Sequence, residues 1–342
     1  MTTLVFSPNW LGDAVMALPA VADLRRHTGT GRLIVASRSS VAGLWPLVAG
    51  VDEVVTIPAP RGARRWAAIR ASVDAVRHVR ADLAVLLPNS FQTALVARLA
   101  GIPARLGYRR NLRQWLLTQA VRRPRGPVHQ ADYYRRLISA AGVENGPREP
   151  RLDVPEDSLA AARSLLAEHG WTPGKALLGL APGAAYGGAK RWQPDRFAAV
   201  AEGLRQSRGT TAVLIGSAAD RPAACAIEAE LGKINGAGGG PAAINLVGLT
   251  DLRQLAGVLA HCAAFVSNDS GAMHLAAAVG TPVAAVFGPT DERGTAPLGG
   301  RVRVLTADAW CRPCMLRECP LDHRCMTGIG ASDVIRAVED MV

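Results

Sequence analysis

Four short stretches of the 342-residue chain carry residues whose types and spacing can do chemistry. In SPNWLGDAVMALPA, Asp13 follows Gly12 at the start of an apolar helical pattern. A carboxylate in a first helical turn at a loop-lined rim can take a proton from a hydroxyl, although the same position suits an acid that only complements the helix dipole. In APGAAYGGAKRWQPDRF, small residues including Gly183 let backbone N–H groups approach an anion, and Lys190 supplies a point charge. Only 3 of the 39 basic residues are lysines, which makes Lys190 stand out, with a plain solvated lysine as the alternative. In NDSGAMHLAAAV, Asp269, Ser270 and Gly271 end a strand and open a helix whose first amides form an anion site of diphosphate size, with His274 one turn further in. The alternatives there are an N-cap for Asp269 and a hydrogen-bonded core histidine for His274. Finally, Cys311, Cys314, Cys319 and Cys325 form C-x2-C-x4-C-x5-C around His323, a spacing that suits zinc, an iron–sulfur cluster or a compact loop of packed thiols. Because Asp-x-Asp and G-x-x-x-x-G-K-[ST] are both absent, neither a carboxylate-bound Mg²⁺ nor a P-loop is signalled, and amides, dipoles and Lys190 would hold any diphosphate.

These residues need elements to position them. Short apolar runs alternate with helical-period segments almost throughout, the pattern of repeated βα units and of an α/β fold with parallel sheets. Strands are predicted at Leu4–Ser7, Leu33–Ser37, Val54–Ile57, Leu83–Leu87 and Arg105–Tyr108. A second series follows at Leu177–Leu180, Ala212–Ile215, Ile244–Val247, Ala264–Ser267, Val283–Phe287 and Val302–Thr306. Two doubly wound domains in tandem result, joined between Gly146 and Gly174. The working division is 1–165, 166–330 and a terminal helix within 331–342. Ligands of such sheets bind at the carboxyl ends of the strands, so two loop-lined rims facing across a cleft are expected. The Gly236–Gly240 stretch reads as a surface loop and not as a nucleotide fingerprint.

Composition narrows the class. Hydrophobic residues at 49%, charged residues at 20% and a mean hydropathy of +0.12 exclude a disordered chain. The longest apolar stretch is broken by Gly280-Thr281-Pro282, so no membrane span is predicted, and the amino terminus lacks the basic flank of a signal peptide; a cytoplasmic protein is expected. The net charge of +11 is lopsided: residues 1–170 hold 23 basic and 13 acidic side chains, the remainder 16 and 15. An anionic partner for the first half follows, unless the arginines are only a solvated face. A nucleic-acid-binding protein is the non-enzyme alternative, weakened by the absence of any recognised nucleic-acid motif.

Taken in order, the motifs above, with LPNSFQTALVARLAGIPARLGY, resemble the ADP-heptose:lipopolysaccharide heptosyltransferases of glycosyltransferase family 9, and within them the members that add the second heptose. The resemblance covers nearly the whole chain. It implies a GT-B fold and inverting transfer of heptose from ADP-heptose to the first heptose of the lipopolysaccharide inner core, with no required cofactor or metal and no nucleic acid as partner. It makes Asp13 the general base, with Lys190 assisting catalysis. Gly183, Lys190, Asp220, Asp269, Ser270, Gly271 and His274 would line the donor. Its anionic acceptor at the membrane face gives the basic half a reason: Arg61, Arg64 and Arg65, with Arg105, Arg109, Arg110 and Arg113, would attract it, and Asn9, Trp10 and Asn89 would meet it. The enzyme would then sit peripherally on the inner face of the inner membrane, with the last helix packing back on the first domain. Other acceptors, as in heptosyltransferase I, or another GT-B sugar-nucleotide chemistry remain the alternatives.

Overall fold

The computed structural model describes residues 1–59, 65–235 and 243–342. It contains two compact units, Met1–Asp153 and Val154–Val342, each built on one parallel six-stranded sheet. In the first unit, β1 (Thr2–Phe6), β2 (Arg32–Ser37), β3 (Glu53–Thr56), β4 (Leu83–Leu86), β5 (Ala104–Tyr108) and β6 (Gln119–Val121) lie in the order β3-β2-β1-β4-β5-β6. In the second, β7 (Leu177–Ala181), β8 (Thr211–Leu214), β9 (Ile244–Asn245), β10 (Cys262–Asn268), β11 (Val283–Phe287) and β12 (Val302–Thr306) repeat that order as β12-β11-β10-β7-β8-β9.

Central strands are apolar on both faces because helices cover both. Val5 pairs with Val35 on one side and Val85 on the other, and Val266 lies between Leu180 and Ala284, all fully buried. Strand order reverses between β1 and β4 and between β7 and β10, so the loops leaving those strands part to form a crevice at each carboxyl rim. α1 (Leu11–Met16) opens behind β1, the Lys190 loop behind β7, and α11 (Gly271–Ala278) behind β10.

Two expectations change. The edge strand β6 was not foreseen, since three residues without an apolar run give no period to read. The second unit starts at Val154 and not after residue 165, because α7 (Glu156–Glu168) packs on α10 (Leu252–His261). The approach is so close that a Cβ on Gly257 would stand 2.5 Å from the Ser158 carbonyl oxygen. The last helix, α14 (Ala331–Glu339), contributes to the core of the second unit. Its Val334 and Val338 enter the second core and Ile335 covers Gly203 of α8 (Pro194–Arg208). Residues 236–240 lie outside the described part of the chain.

Candidate functional site

Each rim is built from its own unit. In the second unit the end of β10 is stitched to the loop after β7 by Asn268, which is fully buried. Its Nδ2 donates to the Pro182 carbonyl at 2.7 Å and its Oδ1 accepts from the Trp192 amide at 3.1 Å. Trp192 is itself pinned by Nε1 donating to the Ile329 carbonyl and by an edge contact with Phe197. That clamp delivers Lys190, whose ammonium sits 2.5 Å from Asp269 Oδ2 and 4.6 Å from the centre of the Tyr186 ring. Thr290, 4% exposed, donates its hydroxyl to the same Asp269 oxygen at 2.6 Å. Two donors on one carboxylate oxygen fix the acid and hold the lysine in a single place.

Beside them the first turn of α11 lacks a side-chain cap. Ser270, in the N-cap position, spends its hydroxyl on Ser267 Oγ at 3.1 Å. Uncapped amides at a helix start suit an anion's oxygens, and the neighbouring ammonium adds charge. His274 is buried on the same helix. Gly183 and Asp220 meet as well: a Cβ on Gly183 would fall 2.4 Å from Asp220 Oδ1. The Asp220 carboxylate also accepts from the Ser217 amide and hydroxyl, so its first task is to close its own turn. Thus all seven donor-side residues lie on the loops and first turns that leave the carboxyl ends of β7, β8 and β10, with Asp220 already engaged.

The cysteine segment has a role that spacing did not disclose. It braces the Lys190 loop: the Arg317 carbonyl accepts from the Ala189 amide at 2.9 Å, Glu318 accepts from the Gly188 amide at 3.0 Å, and the Met315 carbonyl accepts from the Tyr186 hydroxyl at 2.7 Å. Gly187 is required by this contact, because a Cβ there would stand 2.3 Å from the Arg317 carbonyl oxygen. Cys311, Cys314, Cys319 and Cys325 are free thiols. Burial, and then the three other thiols, push the Cys325 thiol up, so the four share one neighbourhood. Among the described residues no three His, Cys, Asp or Glu side chains are grouped to hold a metal ion.

On the first unit's rim, Asp13 is half-buried in the opening turn of α1, behind Trp10, which is 62% exposed. Tyr134, on α6 (Gln130–Ser139), donates its hydroxyl to the Asp13 carboxylate and accepts from the Gln130 amide. Burial, with the Asp13 charge beside it, pushes this phenol well above its ordinary value, so it remains a donor. Asn9 lines a small pocket with Arg38, Ser90 and Gln92. Burial lowers the Arg38 guanidinium from its usual value; this cation just past the end of β2 lines the pocket beside Asn9 and was not singled out by the sequence reading.

The other expected acceptor contacts divide. Asn89 is committed internally: it donates to the Tyr133 hydroxyl, accepts from Arg113 through Oδ1, and its carbonyl accepts from Asn111. Arg113 is fully buried, where burial brings its pKa down to about 10, and its guanidinium holds the Tyr108 and Pro88 carbonyls. Arg105 likewise serves the Leu116, Ile102 and Pro103 carbonyls. Both arginines spend their guanidinium groups on main-chain carbonyls, and half-buried Asn89 ties the same loop together. Arg61 and Arg64 lie outside the described residues.

Two Rossmann-type units, one of them carrying a lysine-backed anion cradle at its switch point, define a protein of the nucleotide-sugar transferase class. The chain belongs to glycosyltransferase family 9 (heptosyltransferase), whose model matches residues 69–324, and it is accordingly a glycosyltransferase of GT-B fold. It is 32% identical over 314 residues to lipopolysaccharide heptosyltransferase 2 of Salmonella typhimurium, covering 89% of this chain and 88% of that relative; the Escherichia coli K12 counterpart matches to the same extent. Among solved structures, E. coli ADP-heptose lps heptosyltransferase II aligns with a TM-score of 0.83 and 29% identity over 100% of this chain and 98% of that one.

Proposed function

We propose that the protein moves heptose from ADP-heptose to the first heptose of the lipopolysaccharide inner core, inverting the anomeric configuration. The observation that carries the donor half is the Lys190–Asp269–Thr290 cluster beside the uncapped start of α11. In this reading Asp13 takes the proton of the acceptor hydroxyl as that oxygen bonds to the anomeric carbon. The bond from that carbon to the ADP oxygen breaks, and ADP leaves with the electron pair. Lys190 and the amides of Ser270 and Gly271 stabilise the charge that grows on the diphosphate, while Asp269 holds Lys190 in place and His274 lines the sugar side. Tyr134 is a positioning residue, keeping the Asp13 carboxylate oriented through its hydrogen bond. Arg38, Asn9 and Trp10 meet the acceptor, whose acidic sugars suit a guanidinium.

No resident metal takes part in this scheme, so a chelator should leave the rate unchanged. No helix among the described residues is long and apolar enough to cross a membrane, which fits a protein working peripherally on the inner face of the inner membrane. The test is an assay of ADP-heptose against core acceptors ending in one heptose or in none, with products read by mass spectrometry. Transfer confined to the one-heptose acceptor is the expected result. Transfer to the heptose-free acceptor, or preference for a UDP-sugar, would replace the acceptor or donor assignment.

A further inference from the structure

Between Leu83 and Ala131 the chain has eight arginines and no aspartate or glutamate. Within that run the connection from β5 to β6 presents its side chains in an unusual way. Leu112 is 80% exposed and Trp115 81%, and Leu112 is held at φ 56 and ψ 16, a left-handed conformation that a bulky residue rarely adopts. Asn111 is left-handed too, at φ 51. The loop is not loose: Arg113, between the two outward apolar side chains, is buried and bonded to the Tyr108 and Pro88 carbonyls and to Asn89, which also secures Asn111. An internal arginine thus locks a backbone that turns a leucine and a tryptophan into solvent. Around them Arg109 and Arg110 are exposed, and the pairing of Tyr108 with Val121 brings exposed Arg122 and Arg123 to the same end of the sheet.

We propose that this face, centred on Leu112 and Trp115, is a docking surface for an anionic lipid bilayer. A tryptophan and a leucine ringed by arginines suit the headgroup region, where the indole sits at the interface and the guanidinium groups meet lipid phosphates. Two apolar side chains are too few for a stable protein partner, which needs on the order of 800 Å² per side, whereas a bilayer accepts a small wedge. The inference deepens the peripheral association proposed above, and does not depend on which sugar is transferred.

The experiment is co-sedimentation of the full chain with phosphatidylglycerol-containing vesicles and with pure phosphatidylcholine vesicles. Expected is binding to the anionic vesicles that weakens as salt rises. Leu112→Gln with Trp115→Gln should weaken it roughly tenfold or more, and Arg109→Gln with Arg110→Gln should cost about fivefold per charge. Trp310→Gln, an equally exposed tryptophan of the second unit, should change nothing. Transfer to a water-soluble acceptor should be unaltered in the Leu112/Trp115 variant; loss of transfer in every variant and in the parent would indict the sugar chemistry and leave the docking result intact. Equal vesicle binding by the parent and the Leu112/Trp115 variant overturns the proposal. So does concentration-dependent self-association that the same variant abolishes, which would make a second copy the occupant.

Discussion

Asp23 of the first unit and Asp269 of the second are both buried carboxylates with cations against them, at 1% and 7% exposure. Asp23 is closed on all sides. Its Oδ1 accepts from Arg26 and from the Gly146 amide at 2.9 Å, and its Oδ2 from Arg135 Nε at 3.3 Å, so that α2 (Leu18–Thr28), α6 and the segment after α6 are stapled together. Asp269 gathers its two donors, Lys190 and Thr290, on one oxygen at a sheet rim, next to a helix start that no side chain caps. Two pairs that look alike in composition therefore do different work: one completes a core, the other holds a cation ready beside an anion site. Burial of an ion pair does not by itself separate the cases; the neighbouring unsatisfied backbone does.

The comparison can be broken by substitution. The largest effect is expected at a third carboxylate, Asp13 on the first unit's rim, which belongs to neither type because it accepts from a phenol. Asp13→Ala should lower kcat by about 10²–10⁴-fold with ADP affinity, measured by calorimetry, nearly unchanged. A variant that turns over normally would remove Asp13 from the chemistry. Asp23→Ala leaves the Arg135 guanidinium and the Gly146 amide without their buried partner and should cost roughly 3–5 kcal/mol of stability, read by denaturant unfolding, while the folded fraction keeps its kcat. Lys190→Ala should reverse that balance. Turnover and ADP-heptose affinity fall together, with kcat/KM down about 10²–10³-fold, but the melting temperature drops less than for Asp23→Ala because water at the rim can replace the ammonium. Equal thermal losses in the two variants would erase the distinction drawn between the pairs.

How far such differences can be read from sequence is uneven. Buried strands with continuous apolar runs, such as RLIVAS and VAAVF, announce themselves because both faces are covered. The edge strand QAV and the two-residue β9 do not, having too few residues to show a period. Lys190, Asp269 and Gly271 are legible because residue type, rarity and the strand-to-helix junction coincide at one place in the chain. Thr290, Arg38 and Tyr134 are not. Thr290 follows β11 beside β10, Arg38 follows β2 beside β1, and Tyr134 comes from α6, so only the order of strands and helices in space brings them to their rims. The arginines mislead for the opposite reason: type alone cannot tell Arg109, exposed at the surface, from Arg113, wholly consumed by main-chain carbonyls.

Tyr134 gives the smallest and most discriminating effect. Its hydroxyl accepts from Gln130 and donates to Asp13, so the phenol passes on a fixed orientation, and burial with the Asp13 charge holds its pKa well above the ordinary value. Tyr134→Phe preserves the ring that packs edge-on to Tyr133, 6.0 Å away, so the fold should survive. What is lost is one hydrogen bond to a carboxylate, about 1.5–3 kcal/mol at most, part of which water at the half-exposed acid will restore. The expected result is a fall in kcat of roughly tenfold with the KM for ADP-heptose unchanged, because Asp13 lies in the first unit and the Lys190 cluster in the second. A purely structural tyrosine would instead lower the melting temperature and leave kcat alone. Combined with Asp13→Ala the substitution should add nothing further, since a residue that acts only by positioning the base has no effect once the base is gone.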